Sequence, residues 1–155
     1  MSAPNLSWFD GENEAPVTSW ELGIVDAGSV SPDYNFLLWN NRNGSEEVSD
    51  MVNCSITIKN DSGGNTGALV EDRWIEVRVD SMGESTFTPI GGEIDKEIEA
   101  GGPNTEGNQT ISGTINDGSL NAEDNFCELT MHANVDGLAS AGSVDFLVRV
   151  SYQYV

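Results

Sequence analysis

Apolar side chains recur at every second position from Ser143 to the last residue: Val144, Phe146, Val148, Val150, Tyr152 and Tyr154 fall on one side of an extended chain. Such a spacing buries one face of a strand, whereas a helix needs a repeat near 3.6. The same alternation runs through Val52, Cys54, Ile56 and Ile58, through Ile75, Val77 and Val79, and through Cys127, Leu129, Met131 and Ala133. No window of helical length sustains a helical apolar period, and 17 glycines, with many serines and asparagines, punctuate the chain with turns. These patterns specify an all-β protein.

Strands are predicted over residues 20–25, 34–40, 52–59, 74–79, 85–88, 109–115, 126–134 and 143–155. In the second of these, Phe36 and Leu38 share one face while Leu37 and Trp39 share the other, so a central strand covered on both sides is expected. Pro89 lacks a donor, which confines its strand to a sheet edge or a strand end. Residues 93–100 fit one helical turn through Ile94 and Ile98, or an edge strand through Ile94, Lys96, Ile98 and Ala100; pairing as a strand is preferred. The final strand carries the strongest pattern and is expected to lie paired inside a sheet. About eight short strands joined by turns, without crossover helices, read as an antiparallel sandwich in Greek-key order. Residues 1–17 are polar and contain Pro4 and Pro16, with Trp8 and Phe9 as their large apolar pair. They read as an N-terminal arm that packs on its own domain or reaches a neighbouring subunit, with residues 18–155 as the sandwich domain.

A chain of 155 residues with 37% hydrophobic content can close one core of useful size, which excludes general disorder. It offers no apolar run of membrane-spanning length, and its first residues lack the basic start and apolar stretch of a secretion signal, so retention in the compartment of synthesis is expected. Charge is the most unusual quantity: 26 acidic against 6 basic residues give a formal net charge of -20. Lys59, Lys96, Arg42, Arg73, Arg78 and Arg149 form no cluster, so nucleic acid and anionic membrane surfaces are poor partners. The acidity suits a solvated outward face, adaptation to high salt, or docking on a basic partner. Cys54 and Cys127 are too few for a disulfide scaffold, and both fall in core-facing series. Free buried thiols are expected, with a bridge between sheets left open on geometry.

Catalytic chemistry finds little purchase. His132, the single histidine, follows Met131 in a strand and projects to the face opposite the core, where a surface histidine is expected. Nucleophilic catalysis needs a base within reach of a hydroxyl or thiol, and both cysteines point inward. Neither a Gly-x-Ser-x-Gly elbow nor a phosphate-cradling loop is present, and one histidine with two distant cysteines matches no common zinc spacing. Pairs such as Glu46 with Glu47, or Glu93 with Asp95, arise by chance among so many acids. Asp117, Ser119, Asn121, Glu123 and Asp124 place oxygen-bearing side chains along one loop and make a weak calcium candidate. Ala122 stands where an EF-hand would need glycine, and an ordinary polar loop is the alternative. Trp8, Trp20, Trp39 and Trp74 could stack sugar rings, Trp74 being the best exposed candidate, although core packing accounts for most tryptophans. No cofactor and no enzymatic activity are expected.

The segments Trp20-Glu21-Leu22-Gly23-Ile24-Val25-Asp26-Ala27-Gly28-Ser29 and Phe36-Leu37-Leu38-Trp39-Asn40-Asn41 resemble the opening of bacterial immunoglobulin-like domains. Ile98-Glu99-Ala100-Gly101-Gly102, followed by Thr110-Ile111-Ser112-Gly113, is similar to a later phrase of those domains. The resemblance implies an immunoglobulin-like sandwich over residues 18–155. Most such domains are exported; tailed bacteriophages, which assemble in the host cytoplasm, display them on heads and tails. In size, acidity and aromatic-bearing arm the chain resembles a capsid decoration protein. This implies a non-enzymatic virion component whose partner is a phage capsid or other virion protein, with homo-oligomerisation an option. Trp8 and Phe9, or a loop end, would supply the apolar anchors. The alternatives are a carbohydrate-binding or adhesion module, which needs exposed aromatics on one face, and a surface domain of a salt-adapted organism.

Overall fold

A computed structural model describes residues 1–101 and 110–155. In chain order the strands are β1 (Leu6–Asp10), β2 (Tyr34–Asn40), β3 (Met51–Asn60), β4 (Ile75–Val79), β5 (Thr88–Ile90), β6 (Lys96–Glu97), β7 (Thr110–Ile111), β8 (Phe126–Ala133) and β9 (Phe146–Gln153). All pairings between them are antiparallel. The first sheet has the order β1-β2-β8-β4-β5. In the second, β3 is central: β9 lies along one side, and β6 and β7 follow one another along the other. The helix Ala68–Glu71 is a single turn, and among the described residues no helix is long and apolar enough to cross a membrane.

The alternating series meet face to face. Phe36 and Leu38 of β2, Ile75, Val77 and Val79 of β4, and Cys127, Leu129 and Met131 of β8 form one buried cluster with Met51, Cys54, Ile56 and Ile58 of β3. Burying each such aliphatic side chain contributes about 1.5–3 kcal/mol before entropy is counted, so this interlayer is the main source of stability. Both cysteines lie inside it as free thiols. At one end, buried carboxamides join the layers: Asn40 Nδ2 donates to the carbonyls of Ser49 (3.0 Å) and Ile111 (3.1 Å), and Asn125 Nδ2 to that of Ser112 (2.8 Å).

Several expectations shift. Of the two places open to residues 1–17, they take the one on their own domain, and they form a strand there instead of an irregular arm. Leu6–Asp10 pairs with β2, and the chain then doubles back so that Val17 N donates to Trp8 O (2.8 Å) and Asp10 N to Ala15 O (3.0 Å). Trp8 meets Phe36 edge-on at 6.1 Å, which secures this hairpin to the core. Residues 20–25 are not a strand: Gly23 takes a positive φ of 69° and interrupts the extended run. The strand expected over 85–88 is displaced to Thr88–Ile90, with Pro89 inside the outermost strand of its sheet, where no partner needs its missing donor. Residues 93–100 do contribute a short paired strand, β6. The start expected at Gln109, like Gly102 of the later phrase, lies outside the described residues. Most consequentially, β9 is not inside a sheet: among the described residues it pairs with β3 alone.

Trp20 explains why its segment sacrifices strand pairing. Its ring contacts Tyr34 (5.5 Å) and Phe36 (5.6 Å) of the first sheet and Phe146 (5.7 Å) of the second, all edge-on, so it plugs the side of the sandwich between β2 and β9. Trp20→Ala is expected to lower unfolding free energy by about 2–4 kcal/mol, because three aromatic contacts and their burial are lost together. Denaturant titration followed through the remaining tryptophans checks this.

Candidate functional site

The outer face of the first sheet concentrates the chain's polar chemistry. Strand alternation sends Asn35 of β2, Glu76 and Arg78 of β4, and Glu128, Thr130 and His132 of β8 to this side, and the register sets Glu76 opposite His132 and Arg78 opposite Thr130. Asp80, just beyond β4, joins them. Its Oδ1 accepts from Arg78 Nε (2.6 Å) while Oδ2 accepts from Thr130 Oγ1 (2.6 Å) and Asn35 Nδ2 (3.3 Å). Arg78 Nη2 also donates to Thr130 Oγ1 (3.2 Å).

His132 is not a surface histidine. Its parity is outward as expected, yet it is only 8% exposed because Phe87 stacks on the imidazole with ring centres 3.9 Å apart. Nδ1 lies 2.9 Å from Asp33 Oδ1 and Nε2 lies 2.7 Å from Glu76 Oε1. With both ring nitrogens engaged by carboxylates, neither faces a hydroxyl or thiol, so the geometry holds a structural clamp between the chain entering β2 and strand β4. Burial pushes the thiol of Cys54 up to about 11 and that of Cys127 up to about 12, far from the thiolate a nucleophile requires.

The other end of the same face carries an apolar cluster of Leu37, Trp39 and Phe126, with Phe9 packed against it. Arg42 lies 3.8 Å over the Phe9 ring, and its Nε donates to Asn13 Oδ1 (3.0 Å). The same Asn13 oxygen accepts from Trp39 Nε1 (3.1 Å), and Asn13 Nδ2 donates to Gly118 O (2.8 Å). One asparagine thus ties the N-terminal hairpin to the sheet and to the loop containing the calcium candidate. Trp8 and Phe9, expected as anchors for a partner, lie on opposite faces of β1 and are both packed within the domain.

The calcium candidate is organised as turns. Asp117 Oδ1 accepts from Ser119 N (3.0 Å) and Ser119 Oγ (2.7 Å), which holds its carboxyl below the usual carboxylate range, and Ser119 Oγ accepts from Asn121 N (3.3 Å). Glu123 begins a single 3-10 turn, Glu123–Asn125, that includes Asp124. Among the described residues no three His, Cys, Asp or Glu side chains converge as a metal-holding group. The tryptophans form no exposed platform: Trp39 is fully buried, Trp8 and Trp20 pack on the core, and Trp74 is half-buried beside it.

Apolar exposure lies elsewhere. Residues 28–29 meet Val135 beyond the ends of the strands, joined by Gly28 N to Val135 O (2.9 Å) and Val135 N to Ser29 O (3.0 Å). In the chain flanking this junction Ile24 is 97% exposed and Leu138 is 93% exposed, and Val30, opposite Asn134, is exposed as well. No family model matches the chain, and no curated protein matches it.

Glu128 offers a test of the polar strip. Burial, and then the charge of Asp80, raise its carboxyl above the ordinary range. A carboxyl with a higher pKa folded than unfolded binds more protons in the native state, so its contribution to stability falls as pH rises from about 4 through the folded value. Glu128→Gln is therefore expected to melt at a higher temperature than the parent at pH 7, with the difference vanishing at acid pH. Paired thermal melts across that range check the sign.

Proposed function

We propose that this chain is a non-enzymatic virion structural protein, a decoration protein of immunoglobulin-like, Greek-key type seated on the outer surface of a phage head. The observation that carries the reading is the exposure of Ile24, Val30 and Leu138 on the two segments that meet at Gly28 and Val135, in a body whose net charge of -20 otherwise favours solvent. Nearly complete exposure of large aliphatic side chains is costly to solubility and suits docking. The role given to Trp8 and Phe9 in the sequence-based expectation passes to these residues, since both aromatics are engaged within the domain. The clamped His132 and the buried thiols support a scaffold role over covalent chemistry. The acidic flanks would stay solvated, while loop contacts from neighbouring copies together reach the roughly 800 Å² per partner that stable attachment needs.

Deleting residues 1–17 is a poor test, because it removes β1 and the Trp8 contact along with any docking residue. The sharper experiment is a double variant, Ile24→Ser with Leu138→Ser, mixed with heads of the encoding phage from which the native chain has been stripped. Parent protein is expected to co-sediment saturably, and the variant to bind roughly a hundredfold more weakly with an unchanged melting temperature. Equal binding by the two proteins, or no binding by the parent, would refute the assignment.

A further inference from the structure

Among the described residues the long edge strand β9 is open, and its sequence fits it to pair with itself. Other edges are protected. β1 is flanked by the returning residues 15–17, β5 contains Pro89, and β6 and β7 have two residues each. β9 runs for eight residues without proline, and among the described residues nothing pairs along its outer side. Which of its backbone groups point outward follows from β3. Ile58 O accepts from Gly92 N (2.8 Å), on the side away from β9, so the even positions of β3 direct their backbone groups there. Ile58 is opposite Val148 and Ile56 opposite Val150, and antiparallel alternation then turns the backbone groups of Phe146, Val148, Val150 and Tyr152 to the open edge.

Charge is compatible with pairing through the same strand. β3 and β9 contain no Asp or Glu, in a chain with 26 of them. Glu97 and the Glu93 that pairs with Lys59 lie on the β6 side of β3, and Asp145, just before β9, is the acid nearest the open edge. Two copies approaching through β9 would therefore bring together strands that carry no negative charge of their own. Arg149 and the exposed Asp145 make no ion pair among the described residues, and both have the outward side-chain parity of the 43% exposed Leu147.

We propose that the start of β9, together with the residues just before it, pairs antiparallel with the same segment of a second copy about a two-fold axis at Leu147, joining the two second sheets into one. This register sets Leu147 opposite Leu147 of the other copy and Asp145 opposite its Arg149, twice by symmetry. It pairs Phe146 with Val148 at positions whose backbone groups face outward. A register centred on Arg149 instead sets two guanidinium groups against each other. The inference is independent of the virion reading and holds for the isolated chain.

Sedimentation equilibrium of the full chain tests it. A monomer–dimer equilibrium is expected that strengthens with added salt, because screening relieves repulsion between two strongly acidic bodies. Arg149→Asp should weaken association roughly thirtyfold, and adding Asp145→Arg to it should restore association. Leu147→Cys should form a disulfide-linked dimer under mild oxidation, much faster than a Leu138→Cys control. A chain that stays monomeric at all salt concentrations, a dimer unaffected by Arg149→Asp, or equal cross-linking of the two cysteine variants would overturn the proposal. Unchanged thermal melts of the variants verify that folding is intact.

Discussion

The first sheet is apolar on both faces at its centre, and the rest of the architecture answers to that constraint. Leu37 and Trp39 point away from the sandwich interior yet are as buried as Leu38, which points into it. A strand of this kind must be covered twice. The second sheet covers it once; the N-terminal hairpin, with Phe9 and Asn13, and the loop near Gly118 cover it again. Farther along the same face, Phe87 lies over His132 and closes the polar half. On the second sheet, residues 92–94 and Asn65 cover Thr57 and Lys59 of β3, whereas the outer edge of β9 has no partner among the described residues.

That division also distributes the polar groups. Facing the first sheet, carboxylates and carboxamides serve as cross-links: Asp80 gathers Arg78, Thr130 and Asn35, and Asp33 and Glu76 hold the two nitrogens of His132. A low local dielectric strengthens such bonds and makes an unpartnered group expensive, so each strip specifies one arrangement of loops over the sheet. The remaining acids keep the body in solution. Large apolar side chains nevertheless stand exposed at Ile24 and Leu138, and β9 itself carries no carboxylate.

Fold class was legible because period-two burial depends on neighbours in sequence alone. The alternation at residues 34–40, 52–59, 74–79 and 126–134 matched β2, β3, β4 and β8 closely. What remained hidden depends on contacts distant in sequence. Trp20-Glu21-Leu22 looks like a strand, but Trp20 is worth more as a plug between the sheets than in a ladder. Leu6–Asp10 looks too polar for a strand because only Leu6 and Trp8 face the core, and Phe9 finds its cover in Arg42, 33 positions onward. His132 was assigned the correct face, but neither Phe87 nor the register that brings Glu76 to it can be read from local pattern. Pattern strength likewise misplaced β9, since alternation records one buried face and is silent on whether both edges are paired.

Amide hydrogen exchange, resolved by residue on dilute protein at low salt, tests most directly the contrast between a doubly covered first sheet and an open-edged second one. The account predicts continuous protection along β2 and β8. Along β9 it predicts alternating protection, with Leu147, Arg149 and Ser151 protected by β3 while Val148 and Val150 exchange nearly as fast as free peptide. Uniform protection along β9 under those conditions, or rapid exchange in β2, would contradict it.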